Sequence, residues 1–261
     1  MQSTTGVEIH PTAIVDPSAE LGEGVSVGPH TIIGPGVIVG AGTQIASAVL
    51  IEHATVGDGC AISHGAVLGT APQDLKYRNE PTRLTVGDRT VIREYATLNR
   101  GTTASGITSV GSDCLLMSYV HVAHDCHLGD HVIISNAVNM AGHVTIHDWA
   151  SIGGMTPIHQ FVRIGAHAFV GGGSRVAKDI PPYVKAAGSP IQLYGLNSVG
   201  LQRRGFAEDV RRELKRAYRL FFASTHNTTQ ALARAREELR AIPEVEVFLS
   251  FFEGTDRGVT L

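Results

Sequence analysis

Aliphatic residues recur at every sixth position along most of the first 180 residues. From position 110 to position 176 the series runs without a slip, and the N-terminal half repeats it from 9 to 51. After a slip of one residue it continues from 56 to 68, and again from 86 to 98. A helix would need a period near 3.6, so a period of six indicates a short strand and a corner, stacked into a parallel β-helix.

Two further positions of the repeat support this interpretation. The residue after the aliphatic one is often glycine, and we expect it to supply corner backbone angles that other residues avoid. The fourth residue after it is small or β-branched and is predicted to point inward. Cys60, Cys114 and Cys126 all occupy that inward position, and no CxxC spacing occurs. We therefore expect buried free thiols and no disulfide framework.

Two segments interrupt the repeat, residues 70–85 and residues 101–107. Insertions in a solenoid leave the coil as loops and often bind ligands. The first is polar and contains Gln73, Asp74 and Lys76, which makes it either a substrate-binding arm or an ordinary solvated loop.

The repeat stops near Pro181, and the remaining sequence has helical spacing. Helices are predicted over 206–223 and 228–241, with a third after Pro243. The chain is thus predicted to comprise a β-helix over 1–188 and a helical domain over 189–261. Residues 199–223 hold seven Lys/Arg and three acids. This excess suits an acidic partner or a phosphate, although solvated helix faces also carry such charge.

Composition limits the classes of function. A net charge of -3 argues against bulk nucleic-acid binding. No apolar run approaches the roughly 18 residues of a membrane span, and the first residues lack the pattern of a signal peptide. We expect a cytoplasmic protein that does not span a membrane.

Eight of the thirteen histidines lie between 121 and 167, so this region is the candidate site. If three hexapeptides make one coil, residues eighteen apart stack. His124 and Asp125 should then project outward beneath Gly142 and His143, with Gln160 one coil further, all within roughly 10 Å. A histidine base, a carboxylate that orients it and an exposed backbone N–H are the parts of a group-transfer site.

Two other interpretations of the cluster remain open. Surface histidines at polar corners are common, and a metal site would need several imidazoles to converge. The register does not favour convergence, because His121 stacks over Asn139 while His143 stacks below Phe161. A metal-dependent lyase on the same coil and a scaffold without catalytic activity are therefore the rival hypotheses.

The repeat resembles the hexapeptide-repeat acyltransferases, and seven motifs are more specific. They are DLKYRNEPTR (74–83), RGT (100–102), HVAHDC (121–126), AGHV (141–144), GGMTPIHQF (153–161), DIPPYV (179–184) and GLQRRGF (200–206). Together they resemble the UDP-N-acetylglucosamine O-acyltransferases that open lipid A biosynthesis. The resemblance implies a mainly β fold, a left-handed parallel β-helix with a C-terminal α-helical domain, and a homotrimer with sites between subunits.

The resemblance also implies a reaction and its residues. A (3R)-hydroxyacyl chain would pass from acyl carrier protein to the 3-hydroxyl of UDP-N-acetylglucosamine, with no cofactor and no metal. His124 matches the general base, Asp125 its partner, and Gly142 the donor to the thioester oxyanion. Positions matching the sugar and acyl end are Gln73, Asp74, Lys76, His121 and His143; those matching the nucleotide end are His159, Gln160, Asn197, Arg203 and Arg204.

Several positions bear on substrate identity. Asn99 stands where better-known members have histidine, and Pro190 and Val199 replace polar residues. Whether the sugar presents a hydroxyl or an amine at C3 therefore stays open. Gly172 matches the position that sets acyl-chain length, and its lack of a side chain implies a longer chain.

Overall fold

The computed structural model describes residues 6–253 and 258–260. Each coil contributes one short strand to each of three sheets, and strands of successive coils pair in parallel. The predicted parallel β-helix is confirmed. We name the sheets A, B and C in the order in which the chain visits them, and the corners AB, BC and CA after the sheets that they join.

Sheet A contains β1 (Glu8–Ile9), β4 (Ser26–Val27), β7 (Gln44–Ile45), β10 (Ala61–Ile62), β13 (Val91–Ile92), β16 (Leu115–Leu116), β19 (Ile133–Ile134), β22 (Ser151–Ile152), β25 (Phe169–Val170), β26 (Val184–Gly188) and β27 (Ile191–Leu196). Sheet B contains β2 (Ile14–Val15), β5 (Ile32–Ile33), β8 (Leu50–Ile51), β11 (Val67–Thr70), β14 (Thr97–Asn99), β17 (His121–Val122), β20 (Asn139–Met140) and β23 (Pro157–Ile158). Sheet C contains β3 (Glu20–Leu21), β6 (Ile38–Val39), β9 (Ala54–Val56), β12 (Arg83–Val86), β15 (Ile107–Val110), β18 (His127–Leu128), β21 (Thr145–Ile146) and β24 (Arg163–Ile164).

The aliphatic positions and the small fourth positions fill the interior of the coil. Val122, Met140 and Ile158 lie above one another eighteen residues apart, and all are buried. Cys114 and Cys126 are buried as predicted, and burial raises the pKa of their thiols to about 11 and about 12. Cys60 is buried as well, and all three cysteines are free.

The prediction that the glycines supply unusual corner angles is wrong for most of them. Positive φ falls two residues later in the repeat, at positions such as Asp125 and His131. Most of these glycines instead lie where successive coils approach closely. A Cβ built on Gly129 would lie 2.0 Å from the Oδ1 atom of Asp148, and one on Gly40 would lie 2.5 Å from the carbonyl carbon of Gly57.

Both interruptions of the repeat leave the coil at corner BC; the first is shorter than predicted, and the second has the predicted length but begins one residue earlier. Residues 83–85 lie in β12, where Arg83 pairs with Ile107 and Leu84 with Ala54, so the first loop spans 71–82. The second spans 100–106, because Ile107 begins β15. The hydrogen bonds of sheet C hold the ends of both segments in the coil.

The C-terminal segment begins with a hairpin that extends sheet A. β26 continues the parallel ladder from β25, and β27 pairs antiparallel with β26. Four helices follow within the described residues: α1 (Ser198–Arg203), α2 (Glu208–Phe222), α3 (Thr228–Glu238) and α4 (Pro243–Ser250). The three predicted helices are confirmed, and α1 was not predicted. Among the described residues, no helix combines the length and apolar character needed to cross a bilayer.

Candidate active site

His124 and Asp125 occupy corner BC between β17 and β18. Asp125 adopts the left-handed conformation with φ of 57°, a region that aspartate tolerates better than most residues. Its Oδ2 atom lies 2.8 Å from Nδ1 of His124. The His124 side chain is 15% exposed and that of Asp125 only 1%. Asp125 projects outward from the coil, and it is nevertheless buried because the loop 100–106 covers its carboxylate.

The loop over Asp125 supplies hydrogen bonds to both carboxylate oxygens. Oδ1 accepts from the backbone N–H of Thr102 and from the hydroxyl of Ser105, and Oδ2 accepts from the hydroxyl of Thr102 at 2.7 Å. Burial opposes ionisation, but these bonds and the one from His124 outweigh it and hold the pKa of Asp125 below its usual range. An ionised Asp125 only accepts, so Nδ1 of His124 carries the proton and Nε2 keeps its lone pair.

Gly142 lies one coil above His124 and leaves room for its ring. A Cβ at Gly142 would lie 2.5 Å from Cε1 of His124. The Gly142 N–H donates to no acceptor among the described residues. The coil itself does not require a bond there, because N-terminal coils place prolines, which have no N–H, at the equivalent position: Pro11, Pro17, Pro29 and Pro35. A free donor therefore lies beside the histidine ring.

His143 and Phe161 continue the column above Asp125, as the eighteen-residue register predicted. Nε2 of His143 lies 3.8 Å from Oδ2 of Asp125, and its ring stacks on Phe161 with centroids 4.5 Å apart. Burial lowers the pKa of His143; the charge of Asp125 partly opposes this shift, while His124 adds to it. His143 is consequently neutral near pH 7.

The loop 71–82 reaches the same corner. The charge of the Asp74 carboxylate opposes the lowering of the His143 pKa, so Asp74 lies near enough to His143 to act on it electrostatically. Oδ1 of Asp74 accepts from the backbone N–H of Lys76 at 2.9 Å, which shapes the turn at the tip of the loop. Gln73 and Lys76 are exposed. Gln73, Asp74 and Lys76 thus occupy a loop beside the histidine cluster.

Sequence reasoning missed the residues that join the two loops to the site. Thr102 and Ser105 bind Asp125, and Arg100 is buried beneath the first loop. Arg100 donates to the carbonyl of Gly69 at 2.9 Å and to the hydroxyl of Tyr77 at 2.8 Å. One signal was available in the sequence: both interruptions follow a strand of sheet B, as His124 does, so they must leave the coil at one corner.

His121, His159 and Gln160 lie on sheet B or at its edge. The Nδ1 atom of His121 is 2.7 Å from Oγ1 of Thr97, and burial, aided by the charge of His124, lowers the pKa of His121. His159 and Gln160 are exposed, one coil above Gly142 at corner BC. Corner BC therefore gathers most of the predicted sugar-end residues and two of the predicted nucleotide-end residues.

The other predicted residues lie elsewhere in the same chain. Gly172 is at corner AB, two residues after β25. Asn197, Arg203 and Arg204 line an open cavity of about 730 Å³ beside sheet A. Arg204 contacts corner CA, across sheet C from His124. One chain does not bring these residues to the histidine cluster.

Known proteins resemble this chain over nearly its whole length. Residues 107–140 match the model of the bacterial transferase hexapeptide, and residues 179–260 match that of the second domain of UDP-N-acetylglucosamine O-acyltransferase. Residues 9–74 match the model described as the GMPPB C-terminal domain. An acyl-[acyl-carrier-protein]–UDP-N-acetylglucosamine O-acyltransferase of Chlorobaculum tepidum is 59% identical, covering 94% of this chain and 93% of the relative. The chain belongs to the UDP-N-acetylglucosamine O-acyltransferase family.

Other members agree with that assignment. The relative from Chlorobaculum parvum, which has the same name, is 57% identical over 96% of each chain. The solved UDP-N-acetylglucosamine acyltransferase of Bacteroides fragilis superposes with a TM-score of 0.95 at 40% identity, covering 97% of this chain and 99% of that one. The family resemblance of the motifs is confirmed.

Asn99 holds the start of the first loop in place. Its Nδ2 atom donates to the carbonyl of Ala71 at 3.0 Å and to Oγ1 of Thr70 at 3.2 Å. The side chain is buried, so it positions the start of the loop that carries Asp74.

Proposed function

We propose that this protein transfers a (3R)-hydroxyacyl chain from acyl carrier protein to the glucosamine 3-hydroxyl of UDP-N-acetylglucosamine, the first step of lipid A biosynthesis. The observation that carries the proposal is the contact of His124 with a buried Asp125, directly beneath the free N–H of Gly142. This arrangement supplies a base, the group that orients it and an oxyanion donor. An enzyme nucleophile is not required for direct transfer between two bound substrates.

The residues act in sequence in this mechanism. Nε2 of His124 takes the proton of the 3-hydroxyl while the sugar oxygen attacks the thioester carbonyl. The Gly142 N–H donates to the oxyanion of the tetrahedral intermediate. Collapse of the intermediate breaks the carbon–sulfur bond, and His124 gives its proton to the departing thiolate of the carrier. Asp125 stabilises the imidazolium between these two steps.

Residues around corner BC would bind the sugar and the reacting end of the acyl chain. Asp74 lies near enough to His143 to act on it electrostatically and is suited to a sugar hydroxyl, since a carboxylate accepts hydrogen bonds. Gln73, Lys76 and His121 would supply further contacts to the sugar and the acyl end. Asn99, which holds the loop in place, stands where the better-known members have histidine, and an amine at C3 of the sugar is therefore kept as an alternative acceptor.

The nucleotide end would bind to a neighbouring copy of the chain in a homotrimer of left-handed β-helices. His124 and Arg204 lie on opposite edges of sheet C, and six extended residues between corners span up to about 20 Å. Among the described residues, four cations and no acid line the cavity that holds Asn197: Lys185, Arg203, Arg204 and Lys215. A diphosphate suits such a cavity. A homotrimer would place this cavity beside corner BC of the next copy, with His159 and Gln160.

The carrier protein would dock on the basic surface of α2, in the cytoplasm. Arg212, Lys215 and Arg219 are exposed along this helix. A carrier protein of acidic surface is attracted to such a surface, and the attraction weakens with salt. Gly172 would leave the acyl groove open at corner AB, so a longer hydroxyacyl chain should be preferred.

One assay tests the proposal. Purified protein is given UDP-N-acetylglucosamine or its 3-amino analogue, each with acyl carrier protein loaded with hydroxyacyl chains of graded length. We expect transfer to the 3-hydroxyl, with longer chains favoured. Transfer only to the amine would replace the acceptor, and no transfer to either would refute the proposed function.

A metal-dependent lyase of the carbonic anhydrase type is the second candidate. His124, Asp125 and His143 each offer a ligand atom, and these atoms lie within 4.8 Å of one another. Against it, both Asp125 oxygens already accept bonds from Thr102 and Ser105. Stoichiometric zinc in purified protein, lost in a His143→Ala variant, would favour the lyase over the acyltransferase.

A further inference from the structure

A ladder of stacked rings runs along corner CA. Its members, one per coil, are His131, Trp149, His167 and Tyr183. Ring centroids of His131 and Trp149 are 3.9 Å apart, those of Trp149 and His167 6.1 Å, and those of His167 and Tyr183 5.6 Å, with interplanar angles of 20° or less. These rings lie outside corner BC and have no part in the transfer chemistry described above.

His167 contacts two of the proposed nucleotide-binding residues at once. Its backbone carbonyl accepts from Nδ2 of Asn197 at 3.0 Å, and its Nδ1 atom lies 3.2 Å from Nη1 of Arg204. An arginine only donates, so Nδ1 is the acceptor. Trp149, one coil below His167, makes a second contact with Arg204: the guanidinium lies 5.2 Å from the centroid of the Trp149 ring.

The ring of His167 is suited to accept that bond at neutral pH. Burial and the charge of Arg204 lower the pKa of His167 to about 4. The imidazole is therefore uncharged near pH 7 and keeps its lone pair on Nδ1. Phe206 packs edge-on against His167 with centroids 4.9 Å apart, which limits rotation of the ring.

Arg204 has no counter-ion in the part of the chain that the structure describes. It is half-buried, and no carboxylate of a described residue lies within ion-pair distance of its guanidinium. A partly buried charge is costly without an anionic partner, whereas the neutral His167 ring and the Trp149 face only orient it. The bond to His167 uses one of the five N–H donors of the guanidinium, and the others are available to a ligand in the cavity.

We propose that His167 and Trp149 are positioning residues that hold Arg204, and through the His167 carbonyl Asn197, in the geometry that binds the diphosphate of the nucleotide substrate. The inference rests on the proposed function, since it assigns the diphosphate to Arg204. It adds two residues that the seven motifs did not single out. Both act on binding of the nucleotide and leave the chemistry at His124 unchanged.

The test uses pairs of variants in the full-length protein. His167→Phe keeps the stack and removes the acceptor, whereas His167→Asn restores an acceptor oxygen near the place of Nδ1. Trp149→Leu removes the aromatic face, and Trp149→Phe keeps one. His131→Phe, one coil below Trp149, is the control because it preserves the ladder without altering a contact to Arg204.

Calorimetry with UDP and steady-state assays with UDP-N-acetylglucosamine give the readout. We expect His167→Phe to weaken UDP binding and raise KM about tenfold, the worth of a hydrogen bond to a charged group, with kcat within about twofold of wild type. Trp149→Leu should weaken binding about fivefold, within the range of a cation–π contact. His167→Asn, Trp149→Phe and His131→Phe should bind within about threefold of wild type.

Trp149 is the single tryptophan of the sequence, so its emission reports on the same contact. UDP should change the emission of the wild-type protein with the midpoint found by calorimetry. Unchanged emission despite binding would place the nucleotide away from Arg204 and overturn the inference. Wild-type affinity in His167→Phe would also overturn it, as would a fall in kcat shared by both His167 variants. Failure of the wild-type protein to bind UDP would instead refute the proposed function, and the inference with it.

Discussion

The Nδ1 atom of His124 lies 2.8 Å from Oδ2 of Asp125, and this contact decides which ring nitrogen is free to react. Asp125 is ionised and buried under the loop 100–106, so it can only accept a hydrogen bond, and the Nδ1 atom of His124 must carry the proton. The geometry of the pair therefore depends on a loop that the repeat itself does not require.

Asp125→Asn should lower kcat by about a hundredfold or more, since orientation and tautomer of the base are lost while general acid–base catalysis contributes 10²- to 10⁴-fold. The asparagine fills the same space, so the fold should persist. Steady-state assays at pH 7.5 measure the change. Asp130→Asn, the same substitution at an exposed site of corner CA, is the matched control and should retain wild-type kcat. Equal activity of both variants would contradict the proposed role of Asp125.

Removing the two hydroxyl groups that bind Asp125 should loosen the loop. In the double variant Thr102→Ala and Ser105→Ala the carboxylate loses two donors, and hydrogen bonds to charged groups contribute about 1.5–3 kcal/mol each. We expect the free energy of unfolding to fall by about 2 kcal/mol or more. Denaturant titration measures the fall, and faster amide exchange in residues 100–106 should accompany it. Unchanged stability would show that the loop does not depend on these bonds.

The depressed pKa of Asp125 predicts acid sensitivity. A carboxyl group whose pKa is lower in the folded than in the unfolded state contributes stability above its unfolded pKa, near 3.8, and loses that contribution as pH falls toward the folded value. The stability difference between wild type and Asp125→Asn should thus be constant from pH 8 to about 5 and shrink below about 4. Denaturant titrations at these pH values test this, and a difference that grows in acid would contradict it.

Gly142→Ala should displace the His124 ring, because the new Cβ would lie 2.5 Å from Cε1. The ring is held by Asp125 and has little freedom to move aside, so kcat should fall between about ten- and a hundredfold, a part of the contribution of the base. Gly34→Ala is the control, since its nearest neighbour would be 3.4 Å away. Assays of both variants decide the matter; an active Gly142→Ala would show that the ring is less constrained than the structure indicates.

The three cysteines should resist modification in the folded protein. Burial raises the pKa of Cys114 to about 11 and of Cys126 to about 12, so neither forms a thiolate at neutral pH. A thiol reagent at pH 8 should label none of them in buffer and all three in denaturant. Labelling of Cys60, Cys114 or Cys126 without unfolding would contradict their place in the core.

The coil was predictable because its signal repeats. The period of six predicted which residues fill the interior, that the cysteines are buried and that His124 lies under Gly142. The burial of Asp125 was not predictable in the same way, since it depends on Thr102 and Ser105, which lie in a segment without a register. The role of glycine was misjudged because close approach and positive φ both favour it, and only the structure separates them.

The C-terminal contacts were also hidden in the sequence. His167 lies in the regular repeat, and nothing in its spacing distinguishes it from a corner residue. Its bonds to Asn197 and Arg204 arise because the hairpin β26–β27 returns the chain to corner CA, a path set by tertiary packing.

The central claim is that His124 is the general base for acyl transfer, and its alanine variant tests it most directly. Transfer from hydroxyacyl carrier protein to UDP-N-acetylglucosamine is followed in His124→Ala and in His127→Ala, a neighbouring histidine that bonds to Ser109. We predict that kcat falls by about 10³-fold in His124→Ala, the scale of general base catalysis, while UDP binding and assembly are unchanged and His127→Ala keeps wild-type kcat. A folded His124→Ala protein that retains wild-type turnover would contradict the account.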